Sequence, residues 1–224
     1  FKAMQPNNEL HQYLESKINW NKLDQVWITT GRIAHRKGTM EAIASVACLK
    51  SAALIITGAP HFTQTATKRY IDDSYYETVR AFVHQLGIEE RVIFLFDHFG
   101  EIPDGVYEQF IGQLYKGYDG MLTLPFAEGF GIDALNAITE NSNIIVSDDP
   151  ALRSNLGDTA NFIPIGSHPL VPASTMAAVL ANDRGYSIRH ESRTSRTWEA
   201  KAKEMLPLIG TMFKLKDIKL EDEN

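Results

Sequence analysis

Residues Glu128–Asn136 read EGFGIDALN and follow the apolar run Met121–Pro125, MLTLP. A short apolar run of this kind is typical of a buried strand, and the pattern after it predicts a helix. Glu128 would then stand at the carboxyl end of a strand. Gly129 and Gly131 allow the backbone to approach a ligand closely, and the free N–H groups of a helix N-terminus attract an anion. The stretch therefore predicts a binding corner between a strand and a helix.

A second corner of the same kind lies upstream. The run Val26–Thr30, VWITT, is followed by Gly31–Gly38, GRIAHRKG, and then by another helical pattern. Arg32 and Lys37 are close enough in this loop to converge on one phosphate group. A guanidinium binds phosphate with two hydrogen bonds, and an ammonium adds a compact charge. Two anion-binding corners in one domain predict a bound diphosphate that carries a polar group.

The order of apolar runs predicts the fold class. Six runs predict buried strands, at residues 26–30, 53–57, 92–95, 120–124, 143–146 and 161–164. Helical patterns separate them or follow them, at about residues 39–50, 68–86, 104–118, 131–141, 172–182 and 197–213. Strands that are almost continuously apolar are typical of a parallel sheet covered on both faces. We therefore predict an α/β fold, a doubly wound, mostly parallel Rossmann-like sheet with helices on both faces.

Composition and charge exclude several classes of protein. The chain has 224 residues, 44% of them hydrophobic, and a formal net charge of −6, which argues against a nucleic-acid partner. Cys48 is the one cysteine, so no intrachain disulfide can form, and its apolar surroundings predict a buried helix face. No apolar run approaches the roughly 20 residues that span a bilayer.

Motifs of three common enzyme classes are absent from the sequence. A Gly-x-x-x-x-Gly-Lys-Ser/Thr loop, which cradles the phosphates of P-loop NTPases, does not occur. No Gly-x-Gly-x-x-Gly follows the first predicted strand, which disfavours a standard dinucleotide oxidoreductase. A Gly-x-Ser-x-Gly nucleophile elbow is also missing, which disfavours an α/β-hydrolase.

Further polar residues follow the predicted strands. Asp97 follows the third strand, where this corner would either border a nucleobase or serve only as a turn. Asn136 lies in the first turns of the helix after Gly131, within reach of a ribose hydroxyl. The acidic pairs at residues 72–73 and 148–149 have no third ligand nearby in sequence. We expect them to cap helices or to face solvent rather than to bind a metal.

Together these motifs resemble the C-terminal, donor-binding domain of family 4 retaining glycosyltransferases of the GT-B fold. The segments that carry the resemblance are Gly31–Gly38, Leu54–Gly58, Asp119–Gly131, Ile144–Ser147 and Trp198–Glu199. They follow one another in the order that the family shows, and the resemblance spans about residues 26–210.

The resemblance implies a role for each matching residue. Arg32 and Lys37 would hold the donor diphosphate and stabilise the leaving group in place of a metal, and Glu128 would bind hydroxyls of the donor sugar. These three residues are therefore the expected catalytic residues. Asn136 stands where the family usually carries a second Glu, and Ser154 lies near another such position. The expected donor-binding residues are Gly31, Arg32, Lys37, Asp97, Glu128, Gly129, Phe130, Gly131 and Asn136, and no metal ligand is expected.

The implied activity is that of a hexosyltransferase-type enzyme. It would transfer a sugar from a nucleotide-sugar donor, UDP- or GDP-linked, to an unknown acceptor with retention, without a cofactor or a metal. Two alternatives stay open. One is a non-catalytic accessory or binding subunit of the same fold, which Asn136 favours. The other is a nucleotide-sugar epimerase of the same architecture.

The resemblance also divides the chain and predicts its partners. In this fold an N-terminal Rossmann-like half supplies the acceptor site, and the resemblance implies that the sequence corresponds to the other half alone. We therefore expect a fragment, or a chain that a partner completes. Residues 1–24 would be a linker and surface segment, residues 25–185 the nucleotide-sugar-binding domain, and residues 186–224 a loop, a C-terminal helix and a frayed tail. We expect a cytoplasmic protein, with peripheral membrane contact through the absent half left open.

Overall fold

The computed structural model describes residues 6–19, 22–60, 62–64, 69–71, 73–100, 111–112, 114–115, 117–140 and 142–181. Their helices are α1 (Pro6–Lys17), α2 (Thr39–Ala47), α3 (Asp73–Leu86), α4 (Phe96–Phe99), α5 (Ile132–Thr139), α6 (Pro150–Leu156) and α7 (Leu170–Ala181). Their strands are β1 (Gln25–Thr29), β2 (Ala52–Ile56), β3 (Phe62–Gln64), β4 (Arg69–Ile71), β5 (Val92–Phe94), β6 (Gly120–Thr123), β7 (Asn143–Ser147) and β8 (Asn161–Ile163).

Six of these strands form one sheet in the order β5-β2-β1-β6-β7-β8, and every neighbouring pair is parallel. The chain runs outward from β1 to β5, returns to the other side of β1 with β6, and then runs outward to β8. The strand order therefore reverses between β1 and β6. Open α/β sheets bind their ligands outside the carboxyl ends of the strands at such a point. The predicted α/β class and all six predicted strands are confirmed.

The sheet is covered on both faces. Successive side chains of a strand point to opposite faces, so Val26 and Ile28 enter one core and Trp27 enters the other. Helices α1, α5 and α6 pack on the first face, and α2, α3 and α7 pack on the second. Trp27 is fully buried, and its indole N–H donates a 2.6 Å hydrogen bond to Gln25 Oε1. Because both faces are apolar, the sheet holds the strand ends in a fixed relative position.

The first strand is also joined to β6 by a side chain. Asp119, just before β6, accepts a 2.6 Å hydrogen bond from the backbone N–H of Val26. Its own backbone N–H donates to the Val26 carbonyl oxygen at 3.0 Å. Burial raises the pKa of the Asp119 carboxyl, and the hydrogen bond from Val26 opposes that rise. These contacts fix the amino ends of the two strands whose carboxyl ends form the site.

The structure has two helices, α4 and α6, that were not among the predicted ones, and it differs from the prediction before α3. The pattern predicted a helix over residues 68–86, but β3 and β4 form an antiparallel pair and α3 begins at Asp73. Phe62 pairs with Ile71, and Thr63 pairs with Tyr70. Tyr70 and Ile71 are aromatic and β-branched residues, which favour extended backbone. Residues 69–71 therefore form a strand instead of the first turn of the predicted helix.

One single-residue expectation also changes. Cys48 was predicted to be buried and is exposed, because it is the C-cap residue of α2 and lies beyond the helix face that packs on the sheet. Helix α1 and the residue after it contribute to the first core. Leu10, Leu14 and Ile18 are at most 4% exposed and lie in the first core. Their spacing of four residues is that of one helix face.

Several predictions lie wholly or partly outside the described residues. Residues 111–112, 114–115 and 117 are helical, in agreement with part of the predicted helix at 104–118. The loop at 183–197, the final helix and the landmark Trp198–Glu199 fall outside. In the described part of the chain, no helix has the length and apolar character needed to cross a membrane.

Candidate functional site

The carboxyl ends of β1 and β6 bring the two predicted corners together. Lys37, in a 3-10 turn after β1, places its Nζ 2.6 Å from Oε2 of Glu128, which follows β6. The two side chains are only 15% and 16% exposed. The ion pair is therefore largely withdrawn from water, where a charge-assisted hydrogen bond is stronger than at the surface.

Gly38 allows the β1–α2 loop to approach β6 this closely. Its φ of +67° lies in the left-handed region, and a methyl group at this position would lie 1.8 Å from the carbonyl oxygen of Leu124. No other residue type fits such a contact without moving the backbone. The backbone N–H of Phe126 also donates a 2.9 Å hydrogen bond to the Arg36 carbonyl oxygen. The loop that carries Lys37 is thus fixed against the loop that carries Glu128.

The first part of the same loop is held from the β2 side. A methyl group on Gly58 would lie 1.7 Å from the carbonyl oxygen of Gly31, so the two loops touch through their backbones. The N–H of Ile33 donates to the Ala59 carbonyl oxygen at 2.8 Å, and the Ile33 side chain is 1% exposed. The β1–α2 loop is therefore anchored at both of its ends.

Helix α6 positions the loop of Glu128. Asp149 is the N-cap of α6 and accepts hydrogen bonds from the N–H groups of Ala151 and Leu152. Its second carboxylate oxygen is 3.4 Å from the backbone N of Glu128. Asn155 donates a 2.8 Å hydrogen bond to the Phe130 carbonyl oxygen. The capping role expected for the acidic pair at residues 148–149 is confirmed for Asp149.

A cavity of about 330 Å³ opens between these loops. Four of the predicted donor-binding residues, Lys37, Glu128, Phe130 and Gly131, line it. Gly31 borders it, because a methyl group there would lie 3.6 Å from Lys37 Nζ. The other lining residues are Met121, Thr123, Pro125, Ile132, Asp133, Ala134 and Leu152. The cavity thus combines an apolar wall with a few converging charges, which is the usual composition of a ligand site.

Gly131 places the amino end of α5 at this cavity. It is the N-cap of α5, with a φ of +79°, and a methyl group on it would lie 2.4 Å from Leu152 Cδ2. No side chain caps the helix at this residue. The backbone N–H of Gly129 donates a 3.1 Å hydrogen bond to Oε1 of Glu128, so one N–H group of this turn already has a partner.

Asp133 is the acidic residue of the cavity that the sequence analysis did not single out. It is the second residue of α5, and its Oδ2 would lie 3.3 Å from a methyl group on Gly31. Burial raises the pKa of the Asp133 carboxyl, and the charge of Glu128 raises it further, whereas Lys37 and the Thr30 hydroxyl lower it. An acidic residue in the first turn of a helix is common for electrostatic reasons, so its type alone does not indicate a site.

Five of the nine predicted site residues do not line the cavity. Gly31 only borders it, and Gly129 lies in the turn beside it. Arg32 is exposed on the β1–α2 loop, and Asn136 is half-buried in the second turn of α5. Asp97 follows β5, two strands away from β1, and its carboxylate accepts hydrogen bonds from the Tyr76 hydroxyl and from Arg80 Nη1, the latter at 2.8 Å. Asp97 borders a separate cavity of about 390 Å³ along β5.

The described residues also bear on metal binding. No group of three or more His, Cys, Asp or Glu side chains in the described ranges is arranged to hold a metal ion. Asp148 forms a 2.6 Å ion pair with Arg153 Nε at the surface. Lys37, on the β1–α2 loop, is the one cation among the described residues that line the cavity.

This arrangement of sheet, switch point and cavity defines the class of fold. The chain has the Rossmann-like fold of the C-terminal half of GT-B glycosyltransferases. Sucrose-phosphate synthase from Thermosynechococcus elongatus matches 86% of the chain with a TM-score of 0.64 and 20% identity. The chain spans 47% of that protein, about half its length.

Two further solved structures support the same conclusion about the fold. The C-terminal domain of LpcC, a group 1 glycosyl transferase of Francisella tularensis, matches 84% of the chain with a TM-score of 0.60 and 20% identity, and the match covers 90% of that domain. HepE of Anabaena, in complex with UDP-glucose, matches 93% of the chain and 53% of its own length, with a TM-score of 0.68 and 15% identity. No protein-family model and no curated protein sequence matches the chain.

Proposed function

We propose that this chain is the donor-binding half of a hexosyltransferase-type glycosyltransferase that transfers a sugar from a nucleotide sugar, with retention. The observation that carries the proposal is the Lys37–Glu128 pair, 2.6 Å apart in the cavity between β1 and β6. An ammonium and a carboxylate at this distance can bind the two unlike parts of one ligand. The ammonium suits a diphosphate, and the carboxylate suits the hydroxyl groups of a sugar.

The Lys37–Glu128 pair has a consequence for how a donor would bind. The lysine ammonium is already bound by a carboxylate and is 15% exposed. A nucleotide sugar therefore replaces one partner of each group: Lys37 exchanges Glu128 for a phosphate oxygen, and Glu128 exchanges Lys37 for sugar hydroxyls. Both groups are already withdrawn from most of the solvent, so little of the desolvation cost falls on the binding step.

Arg32 and the glycine turn complete the proposed donor site. Arg32 lies on the same loop as Lys37 with an exposed side chain, and we assign it to the diphosphate. The turn from Gly129 to Gly131 would cover the sugar and the adjacent phosphate. Asn136 would act from the second turn of α5 as a neutral hydrogen-bonding group toward the ribose. Asp97 would contact the nucleobase only if the base displaced Arg80 or Tyr76 from its carboxylate.

A solved structure of the same fold supports a choice of donors to test. HepE of Anabaena was solved with UDP and with UDP-glucose, so uridine nucleotides are the first donors to test. Lys37 and Arg32 would supply the charge that neutralises the leaving diphosphate, which is the role a metal ion plays elsewhere. The proposal therefore includes metal-independent binding. A complete enzyme would also need an acceptor-binding half. We propose a cytoplasmic enzyme, in which any peripheral contact with a membrane is made through that half.

The test is a calorimetric titration of the full chain with UDP, GDP and ADP, each with and without magnesium. We expect one of the three to bind, with an affinity that magnesium does not change and that Lys37→Met lowers. Lys50→Met is the matched control, because Lys50 is exposed and lies outside the cavity. Binding that depends on magnesium, or that ignores the Lys37 substitution, would contradict the proposal.

A non-catalytic binding subunit is the second candidate, and Asn136 is the observation that favours it. Asn136 provides no charge where the resembling enzymes usually carry a carboxylate. Binding of a nucleoside diphosphate without transfer or donor hydrolysis, in an assembly complete with an acceptor-binding half, would support this candidate. Conversion of the donor to a free sugar that differs from the donor's own sugar, without any acceptor, would instead indicate an epimerase.

A further inference from the structure

The cavity holds more negative than positive charge. Among the described residues that line it, Lys37 is the single cation, whereas Glu128 and Asp133 are both carboxylates. Lys37 is bound to Glu128 at 2.6 Å, so its charge is already opposed by one of the two acids. With both acids ionised, the lining residues carry a net charge of −1 (one lysine minus two acids).

Asp133 faces the same small volume as the lysine. A methyl group on Gly31 would meet Asp133 Oδ2 at 3.3 Å and Lys37 Nζ at 3.6 Å, so the carboxylate and the ammonium flank Gly31. The backbone carbonyl of Asp133 points elsewhere, since it accepts a 3.2 Å hydrogen bond from the Tyr115 hydroxyl. The carboxylate therefore lies beside Gly31 of the β1–α2 loop, while the backbone of the helix is bound by Tyr115.

A buried hydroxyl lies beside this carboxylate. Thr30 directly follows β1, is 4% exposed, and its Oγ1 has no hydrogen-bond partner of good geometry among the described residues. It is nevertheless close enough to Asp133 to lower the pKa of that carboxyl. Buried hydroxyls in folded proteins almost always have a partner. Asp133 is therefore the nearest polar partner of Thr30, and the two side chains form one polar pair at the carboxyl end of the central strand.

We propose that Asp133, assisted by Thr30, determines which donor sugars this site accepts: sugars that present a hydroxyl or amine are accepted, and sugars that carry a carboxylate are rejected. The proposal rests on the proposed donor-binding function and specifies the substrate class of that site. A carboxylate accepts hydrogen bonds from a hydroxyl or an ammonium group, whereas a second carboxylate near it is repelled. The negative surplus of the cavity makes the rejection one of charge rather than of size.

The experiment compares affinities of the full chain for nucleotide sugars that differ in one carboxylate. The probes are UDP, UDP-glucose and UDP-glucuronic acid, with GDP, GDP-mannose and GDP-mannuronic acid as the parallel series. Each affinity is expressed relative to that of the parent nucleoside diphosphate, which lacks the sugar. We expect the wild-type chain to favour the neutral sugar over the acidic one by about tenfold or more, as one unscreened like-charge contact would give.

Asp133→Asn keeps the size and polarity of the side chain and removes its charge. We expect it to reduce the preference to about threefold or less, mainly through tighter binding of the acidic sugar. Asp158→Asn is the matched control, because it removes one negative charge from an exposed residue outside the cavity and should leave the preference unchanged. Melting curves of both variants establish that each is folded.

The outcomes separate this inference from the proposed function. If UDP or GDP binds but the preference is absent, or Asp133→Asn leaves it unchanged, the inference about Asp133 is wrong and the donor-binding function stands. The same holds if Asp133→Asn changes the affinities of the nucleoside diphosphate and both sugars by one factor, because the carboxylate then acts on the diphosphate. If none of UDP, GDP and ADP binds, the proposed function and the inference both fail.

Discussion

Lys37 and Glu128 lie 91 positions apart in the chain, and their side chains meet at 2.6 Å across the boundary between β1 and β6. The two side chains do not form an ordinary surface ion pair, because each is about 85% buried. Backbone hydrogen bonds also hold the loops that carry them. The strand order places them together, since β1 and β6 are neighbours at the point where that order reverses.

Replacing Lys37 with Met should weaken binding of the nucleoside diphosphate. A hydrogen bond between an ammonium and a phosphate contributes about 1.5–3 kcal/mol, so we expect affinity to fall by about 10- to 150-fold. Isothermal titration with the best-binding nucleotide measures the change. Lys50→Met, which removes an exposed charge, should change affinity by less than about twofold. An unchanged affinity in Lys37→Met would remove this residue from the site.

Replacing Glu128 with Ala should separate transfer from nucleotide binding. The substitution removes the proposed partner of the sugar hydroxyls, so we expect transfer by the complete enzyme to be lost. It also removes the carboxylate that competes for Lys37, so the affinity for UDP or GDP should stay the same or rise. Parallel assays of transfer and of nucleotide affinity test both parts. A similar loss of transfer and of nucleotide binding would contradict the assignment of Glu128 to the sugar.

Gly38→Ala should destabilise the fold more than Gly87→Ala. Both glycines have φ values near +65°, where an alanine costs about 1 kcal/mol. Only at Gly38 would the added methyl group also collide with a backbone oxygen, at 1.8 Å, whereas nothing lies within 4 Å of the corresponding position at Gly87. Thermal melts should therefore show a lower midpoint for Gly38→Ala. Equal melting midpoints for the two variants would mean that the β1–α2 loop can shift to accept the methyl group without a loss of stability.

Arg91→Met should lower the stability of the fold. Arg91 Nη1 donates to the carbonyl oxygens of Leu49 at 2.5 Å and Ala52 at 3.0 Å, and so satisfies backbone acceptors between α2 and β2. Loss of these charge-assisted bonds should cost about 1.5–3 kcal/mol in the free energy of unfolding, measured by urea denaturation. Arg153→Met, which removes a surface ion pair, is the control and should have a much smaller effect. Equal effects would mean that the hydrogen bonds from Arg91 to these carbonyl oxygens add no more stability than a surface ion pair.

Asp133 should make stability fall as the pH rises. Burial raises the pKa of its carboxyl in the folded state, so the unfolded chain loses this proton first. Between the ordinary aspartate value of about 4 and the raised folded-state pKa, the native state holds more protons than the unfolded state, and its stability declines. Asp133→Asn should therefore gain stability relative to wild type as the pH increases from 4 to 8, in urea unfolding at each pH. If the difference in the free energy of unfolding between the two proteins stayed constant from pH 4 to 8, the raised pKa of Asp133 would be contradicted.

The sheet could be predicted from the sequence because its strands are short apolar runs with helices between them. Asp149 was predictable as a cap from its position before Pro150. The hairpin of β3 and β4 was missed because three-residue strands give too short a pattern to outweigh the helical period beside them. Local pattern is thus sufficient for long elements and insufficient for short ones.

The site could be predicted in part. Lys37 and Glu128, which line the candidate cavity, could be singled out because each stands after a predicted strand and beside a glycine. The spacing of Arg32 and Lys37 could not tell which of them enters the cavity, because that depends on the path of a loop held by Gly38 and Gly58. Asp133 gave no signal of its own, since its environment comes from Gly31 and Thr30, about a hundred positions earlier.

The long separation of Lys37 and Glu128 also bears on how the protein folds. β1 can pair with β2 as soon as that part of the chain is made, but the β1–β6 pairing closes a loop of more than ninety residues. Because contacts distant in sequence form slowly, the cavity should be among the late features of the molecule to appear during refolding. After dilution from denaturant, nucleotide binding would then recover more slowly than the helical circular dichroism signal. The rate at which binding recovers would measure how fast β1 and β6 pair.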